Sequence, residues 1–117
     1  MTDSGGLDST DAFERFVLLT VAELTDEGGS PVISYDVMER CRERADELAE
    51  FTGGVERRKV MNALSRLADA GLLAEERGET NPTGKGRPEY TLALPVEQLL
   101  DGLADDETVA SYVARFE

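Results

Sequence analysis

The chain has 117 residues, 40% of them hydrophobic and 6% aromatic, so we expect one small domain whose core consists mainly of Leu, Val and Ala. It carries 25 acidic and 12 basic residues, a formal net charge of −13, a single Cys and no His. This composition excludes intrachain disulfides, the common zinc sites and catalysis by imidazole. An acidic excess with few Lys is typical of proteins from salt-accumulating halophiles.

The N-terminal part of the chain shows no export or membrane signal. Residues 1–8 are small and polar, and we predict a disordered lead-in there. They lack the basic start and the apolar run of a signal peptide, and no apolar stretch approaches the roughly 18 to 20 residues of a membrane span. We therefore expect a cytoplasmic protein with no membrane partner.

Two helices with a short strand between them are predicted next. Helix one follows Ser9 or Thr10 as N-cap, and its apolar stripe consists of Phe13, Phe16, Val17, Val21 and Leu24. Residues 31–33 are bounded by turn residues and predict a minor strand. Ser34 is expected to cap helix two, whose Glu and Arg side chains can pair within the helix. Cys41 on its apolar side is expected to be a core residue, since no His is present to activate it.

The segment of residues 56–73 is the one around which the chain is predicted to be organised. An apolar stripe at helical spacing is formed by Val60, Leu64, Leu67 and Ala68. Gly71 tolerates the left-handed conformation that often ends a helix, and an extended segment follows it. Because residues 52–54 are Thr-Gly-Gly, they form a connection that joins this third helix to helix two as a helix-turn-helix unit.

The charge of this region differs from that of the rest of the chain. Residues 51–90 contain seven basic and six acidic side chains, whereas the remainder contains five basic and nineteen acidic ones. Between Arg57 and Ala68 there are four basic residues and no acidic residue. Because this segment of the third helix has basic but no acidic residues in an otherwise acidic chain, it is predicted to be a surface that binds a polyanion.

A β-hairpin and two further helices complete the prediction. Residues 72–76 and 89–94 can pair as antiparallel strands, and the long loop between them is the wing. Pro95 suits the first position of the next helix, and Asp105 or Asp106 can cap the last one. The apolar faces of these two C-terminal helices either pack on helix one or bind a second subunit. Those faces consist of Val96, Leu99, Leu100, Leu103, Val109, Tyr112, Val113 and Phe116.

The predicted fold is mainly α with a small β-wing: a winged helix-turn-helix over residues 9–94 and C-terminal amphipathic helices over residues 95–117. Four stretches of the sequence are similar to a known family of this fold: VMERCRERADEL, the run from Glu56 to Val60, SRLADAGLL and the pair Gly86-Arg87. Through them the chain resembles the C-terminal winged-helix domain of archaeal replication initiators of the origin-recognition and cell-division-control type. The resemblance spans residues 13–103. Many winged-helix transcription regulators have a similar helix and a Gly-Arg-Pro wing.

The resemblance implies that helix three enters the DNA major groove and that the wing reaches the adjacent minor groove. It places Arg58 and Lys59 on the family's basic pair and Arg87 on its wing arginine. Initiators carry an ATPase module ahead of this domain, whereas only a short segment precedes helix one in this sequence. A stand-alone relative of the domain is therefore expected. Two other features depart from the family: the wing is acidic, and helix three lacks a hydroxyl cap. The residues concerned are Glu75, Glu76 and Glu79 in the wing, and Val55 and Glu56 before the helix.

These patterns predict a protein that binds double-stranded DNA and is not an enzyme. Arg57, Arg58 and Lys59 are expected to anchor the phosphate backbone, while Asn62 and Arg66 read base edges. Lys85 or Arg87 in the wing suits a narrow minor groove. The predicted DNA-binding residues are Arg57, Arg58, Lys59, Asn62, Ser65, Arg66, Lys85 and Arg87. No cofactor or metal is expected, because residues 78–86 lack the spacing of a phosphate-binding loop and the carboxylate clusters suit a solvated surface.

Three functions are compatible with these residues. A small transcription regulator, dimeric through the C-terminal helices, is the first, because pairing increases affinity and site length. A replication-initiator-related protein that binds origin repeats as a monomer is the second. The third is a protein-interaction winged helix without DNA binding, which the net charge of −13 favours.

Overall fold

The structure is a computed structural model of the chain and describes residues 10–28, 32–48, 55–77 and 88–116. These ranges form a mainly helical protein with a small antiparallel sheet, which confirms the predicted composition of the fold. In chain order the elements are α1 (Ala12–Asp26), β1 (Val32–Ile33), α2 (Ser34–Leu48), α3 (Arg57–Asp69), β2 (Leu73–Arg77), β3 (Pro88–Leu92), α4 (Val96–Gly102), a 3-10 turn (Glu107–Val109) and α5 (Ala110–Ala114).

The central helix is α1, which packs against α2, α3, β1, β3, the 3-10 turn, α4 and α5. Every residue from Phe16 to Ala22 is buried, because neighbouring elements surround the middle of the helix. The sequence predicted a single buried stripe and therefore underestimated this burial. A helix whose middle turns are buried on all sides can form the centre of a small core.

The start of α1 differs from the prediction by one residue. Its N-cap is Asp11, whose carboxylate accepts a hydrogen bond from the N–H of Glu14 at 2.8 Å. Glu14 in turn accepts one from the N–H of Asp11 at 3.1 Å. This reciprocal capping box requires a Glu or Gln three residues after the cap, so Asp11 and not Thr10 is the cap. Ser9, the other predicted cap, lies outside the described residues.

The strand β1 leads directly into α2. The predicted minor strand is confirmed at Val32–Ile33, while Pro31 lies outside the described residues. Ser34, predicted as the N-cap, is already the first residue of α2. Cys41 is completely buried, which confirms its predicted place in the core.

A tight turn ends α3 and sends the chain into β2. Gly71 has a φ of +83°, as predicted. Its N–H donates to the carbonyl of Ala68 at 3.1 Å, and the N–H of Leu72 donates to the carbonyl of Leu67 at 3.0 Å. These two bonds are the Schellman pattern of a helix end. They place the end of α3 at a defined point, with the buried Leu73 beginning the sheet.

The sheet has the strand order β1-β3-β2, and all its pairs are antiparallel. Tyr90 of β3 lies opposite Val32 on one side and Glu75 on the other, and it is only 2% exposed. The two hairpin strands were predicted at residues 72–76 and 89–94, and the structure has them at Leu73–Arg77 and Pro88–Leu92. Each end therefore differs from the prediction by one or two residues. One reason is that Leu72 belongs to the helix-ending turn, although its carbonyl still accepts from the N–H of Ala93 at 3.0 Å.

The C-terminal helices pack on α1, which is the first of the two predicted arrangements of their apolar faces. The rings of Tyr112 and Phe16 lie 5.6 Å apart, and those of Tyr112 and Phe116 lie 6.0 Å apart. Leu99, Leu103, Val109, Tyr112 and Val113 all belong to the same buried cluster as the core of α1 to α3. Pro95 is the N-cap of α4 rather than its first residue, and Asp106 caps the 3-10 turn.

Several predicted features lie outside the described residues. They are the lead-in at residues 1–8, the connection at residues 52–54 and the wing loop with Lys85 and Arg87. Within the described ranges, no helix is both long and apolar enough to cross a membrane.

Candidate nucleic-acid interface

The solvent-facing side of α3 is formed by residues opposite its buried stripe. Val60, Leu64 and Leu67 are completely buried against the core. On the opposite side, residues at the spacing i, i+4, i+7 and i+11 lie along one line of the helix surface, which is here called the outer stripe. The outer stripe consists of Arg58, Asn62, Ser65 and Asp69, all exposed. It is flanked by Arg57 in the first turn and by Lys59 and Arg66 along one side.

Positive charge is concentrated in the first turn of α3. Arg57, Arg58 and Lys59 are consecutive and exposed, and none of them forms an ion pair with a carboxylate of the described residues. The N-cap Glu56 has an extended backbone, and its side chain makes no capping hydrogen bond. Three cations next to the positive end of the helix dipole make this turn a favourable place for an anion.

Arg66 differs from these three cations because it is tied to α1. Its Nη1 lies 3.3 Å from Oε2 of Glu14, whose side chain is only 9% exposed. The other carboxylate oxygen of Glu14 belongs to the capping box of α1. The Arg66 side chain nevertheless remains 71% exposed. Arg66 is therefore held at one end by a fixed acceptor and stays open to a ligand.

The basic residues of α2 show a different arrangement, in which carboxylates of α1 neutralise them. Arg44 donates from Nε to Oε1 of Glu23 at 2.9 Å, and its Nη2 also bonds to this carboxylate. Arg40 forms two bonds with Glu27, at 2.8 and 3.1 Å, and lies 3.2 Å from Glu23. These contacts between helices were not predicted from the spacing within helix two. Arg40 also lies 3.5 Å from Glu43, which is a pair within the helix of the kind that the sequence predicted.

Glu23 is the centre of a polar network that joins three helices. The hydroxyl of Tyr112 in α5 donates to Oε1 of Glu23 at 2.6 Å and lies 3.1 Å from Oγ1 of Thr20. Burial alone would raise the pKa of Glu23, but the hydrogen bonds from Arg44 and Tyr112 and the positive charges of Arg44 and Arg40 outweigh it and lower the pKa. Burial and the Glu23 carboxylate both raise the pKa of Tyr112.

Two more groups are held in structural roles. Burial opposes ionisation of Asp106, but its bonds with Thr108 and with Arg15, at 2.7 Å, outweigh burial and lower its pKa. Burial raises the pKa of the Cys41 thiol to about 12, and the thiol donates to Oγ1 of Thr20 at 3.4 Å. A thiol with so high a pKa is not a nucleophile near neutral pH.

The structure brings six of the eight predicted DNA-binding residues onto the exposed surface of one helix. They are Arg57, Arg58, Lys59, Asn62, Ser65 and Arg66. The other two, Lys85 and Arg87, lie outside the described residues. In the part of the chain that the structure describes, there is no group of three or more Asp, Glu or Cys side chains that could hold a metal ion.

A comparison of the chain with models of known protein families, with curated proteins and with solved structures finds no match.

Sequence reasoning missed the part that Glu14 plays at this surface. Asp11 and Glu14 have the three-residue spacing of a capping box, which was a signal for the start of α1. Nothing local indicates the partner of the second Glu14 oxygen, because Arg66 is 52 residues away in the chain. That contact exists only because α1 and α3 pack against each other.

Proposed function

We propose that the protein is a winged helix-turn-helix domain that binds double-stranded DNA through α3. The observation that carries this proposal is the row of Arg57, Arg58 and Lys59, exposed and unpaired among the described residues of a chain whose net charge is −13. The element order and the sheet order β1-β3-β2 support the fold. Exposed cations at a helix N-terminus are the groups that bind phosphate oxygens.

In the proposed complex, α3 lies in the major groove and the three cations bind the backbone at its N-terminal end. The outer stripe then faces the base edges, because it is opposite the buried stripe. Lys85 and Arg87 of the wing are expected, from the sequence alone, to reach the neighbouring minor groove. The proposed function needs no chemical step and no cofactor, and its place is the cytoplasm.

The first form of this function is a small transcription regulator. A lone domain with few phosphate contacts gains affinity and site length by pairing, so a homodimer is proposed. The larger apolar side chains of α4 and α5 are buried or partly buried within the chain. A dimer through these C-terminal helices would therefore use their exposed polar sides. Palindromic half-sites about one helical turn apart would support the regulator.

A replication-related protein that binds origin repeats as a monomer is the second form of the proposal. It shares the same α3 surface and is distinguished by sites that are repeated without a palindrome. The net charge of −13 favours a different class, a protein-interaction domain that does not bind DNA. In that case the exposed cations of α3 have no role in nucleic-acid binding.

Fluorescence anisotropy of a labelled duplex over a salt series tests the proposal. The wild type should bind, with log K falling linearly with log salt, and Arg58→Ala/Lys59→Ala should reduce the slope by about 0.9 for each phosphate that is no longer neutralised. Arg42→Ala is the matched control, since Arg42 is an exposed arginine of α2 and not of α3. Absence of binding at every salt concentration would reject DNA binding and favour the interaction domain.

A further inference from the structure

The contact between Glu14 and Arg66 divides the cations of α3 into two kinds. Arg58 lies on the outer stripe and has no carboxylate partner among the described residues. Arg66 lies beside that stripe, and its Nη1 is 3.3 Å from a carboxylate that is almost completely buried. Both are exposed arginines of one helix, yet only the first is free to turn towards a ligand along the stripe.

Glu14 is a fixed anchor rather than a mobile counterion. Its Oε1 accepts from the N–H of Asp11 at 3.1 Å, while the Asp11 carboxylate accepts from the N–H of Glu14 at 2.8 Å. The rotamer of Glu14 is therefore determined by the start of α1. Moving Oε2 away from Arg66 would break the capping box, which stabilises the start of α1.

An arginine held in this way is poorly suited to read a base. The specific contact of Arg with guanine uses two parallel N–H groups that bind O6 and N7. The contact with Glu14 engages Nη1 of Arg66, so only the remaining N–H groups could form such a fork, and Glu14 rather than a base determines their direction. The exposed N–H groups of Arg66 can still donate to a phosphate oxygen, which demands no particular orientation of the guanidinium plane.

We propose that Glu14 is a positioning residue that makes Arg66 a clamp on the DNA backbone, and that base reading belongs to Arg58, Asn62 and Ser65 of the outer stripe. This inference rests on the proposed function. It reverses the roles that the sequence predicted for Arg58 and Arg66. Arg58 suits guanine and Asn62 suits adenine. Because they are four residues apart, about 6 Å along the helix, the bases they read lie about two base-pair steps apart.

The test begins with a duplex selected by the wild type from a random pool, together with all its single base-pair variants. Affinities are measured by anisotropy for the wild type, Asn62→Ala and Arg66→Ala. Asn62→Ala should lose about tenfold or more of the discrimination at one base pair. Arg66→Ala should weaken all the duplexes by the same factor and reduce the salt slope by about 0.9.

Glu14→Gln separates positioning from simple charge. Gln keeps the oxygen that accepts from the N–H of Asp11, so the cap is retained, but its amide NH2 group then faces Arg66 and cannot accept a hydrogen bond, so the bond to Arg66 is lost. In the Glu14→Gln background Arg66 is released, so the further change Arg66→Ala should now alter the preference among duplexes. Thermal unfolding of each variant verifies that it is folded, and Arg42→Ala controls for the loss of a positive charge elsewhere.

The outcomes separate this inference from the proposed function. If the wild type binds no duplex, DNA binding itself is rejected. If binding is present but Arg66→Ala in the wild-type background changes the preference among duplexes, Arg66 reads bases and the inference is wrong. The inference is equally wrong if Arg66→Ala changes neither affinity nor salt slope, because the pair with Glu14 would then be structural only.

Discussion

The basic residues of α2 and those of α3 are used in opposite ways. Arg40 and Arg44 of α2 are largely buried against α1, where Glu23 and Glu27 neutralise them. The cations in the first turn of α3 are exposed and make no ion pair among the described residues. Both sets of residues lie on amphipathic helices that pack on α1. The difference is that α1 presents Glu23 and Glu27 to the cations of α2, whereas the carboxylate of α1 that contacts α3 among the described residues is Glu14, which binds Arg66.

The cations of the two helices thus differ in what they contribute to stability. The cations of α2 contribute to folding because their removal would leave the largely buried carboxylate of Glu23 without its cationic partners. The cations in the first turn of α3 contribute little to folding, since exposed charges without close partners have small effects. Side chains retained at the surface of an acidic protein without a folding role are candidates for binding. Substitutions on each helix should therefore affect different properties of the protein.

The largest effect is expected for Glu23→Ala, which removes the centre of the network on the α2 side. Arg44 and Tyr112 would each lose a hydrogen-bond acceptor in a partly buried position, at a cost of about 2 to 3 kcal/mol in the free energy of unfolding. Urea denaturation measures this loss. Glu43→Ala is the control, because the Glu43 side chain is 62% exposed and, among the described residues, pairs only with Arg40. A loss no larger than that of the control would show that the network is not a source of stability.

Part of the contribution of Glu23 to the free energy of unfolding should be lost in acid. The pKa of Glu23 is lowered in the folded protein, so its ionised form stabilises the fold above its ordinary pKa of 4.5, and this contribution is lost as the pH falls through the lowered value. The midpoint of thermal unfolding should therefore decline below about pH 4.5, and the decline should be shallower in Glu23→Gln. Equal slopes for the two proteins would mean that other carboxylates dominate.

A smaller effect is expected where α3 ends. Gly71→Ala should destabilise the protein by about 1 to 2 kcal/mol, because an L-residue is strained at a φ of +83°. A Cβ at this position would meet no atom within 4 Å, so the cost comes from the backbone conformation and not from crowding. Gly102→Ala is the control: Gly102 is an exposed residue of α4, where Ala stabilises a helix. Chemical denaturation should give opposite signs for the two variants.

The smallest effect on stability is expected for Arg58→Ala/Lys59→Ala. The free energy of unfolding should change by no more than about 0.5 kcal/mol, while DNA affinity falls, because the two side chains make no ion pair among the described residues. A large loss of stability would remove the distinction between the two helices. Denaturation and anisotropy on one protein preparation measure both quantities.

The sequence predicted the parts of this molecule that depend on local patterns. The buried residues of α3 follow from helical spacing, the end of α3 follows from Gly71, and the burial of Cys41 follows from its place on an apolar face. Each of these features is determined within about two helical turns of the chain. Boundaries were less well predicted, as for Asp11 and Thr10, because several neighbouring side chains can cap a helix.

The pairing of charges could not be predicted from the same patterns. Intrahelical spacing predicted pairs within α2 but gave no sign that Arg40 and Arg44 also bind Glu23 and Glu27 of α1. Partly buried pairs with good geometry are stronger than exposed pairs on one helix, and the packing of two helices decides which pairs become buried. The same applies to the C-terminal helices, whose apolar faces are compatible with α1 or with a second subunit until Tyr112 is found against Phe16.

The sequence by itself therefore determined the order of the elements, their apolar faces and the cationic character of α3, since these depend on residue type and on spacing along the chain. Only the tertiary structure decided which cations are neutralised, which stay exposed and which, like Arg66, are held by a residue 52 positions away. The physical reason is that the effect of a charge depends on its burial and on its nearest opposite charge. Both are properties of packed helices and not of a helix alone.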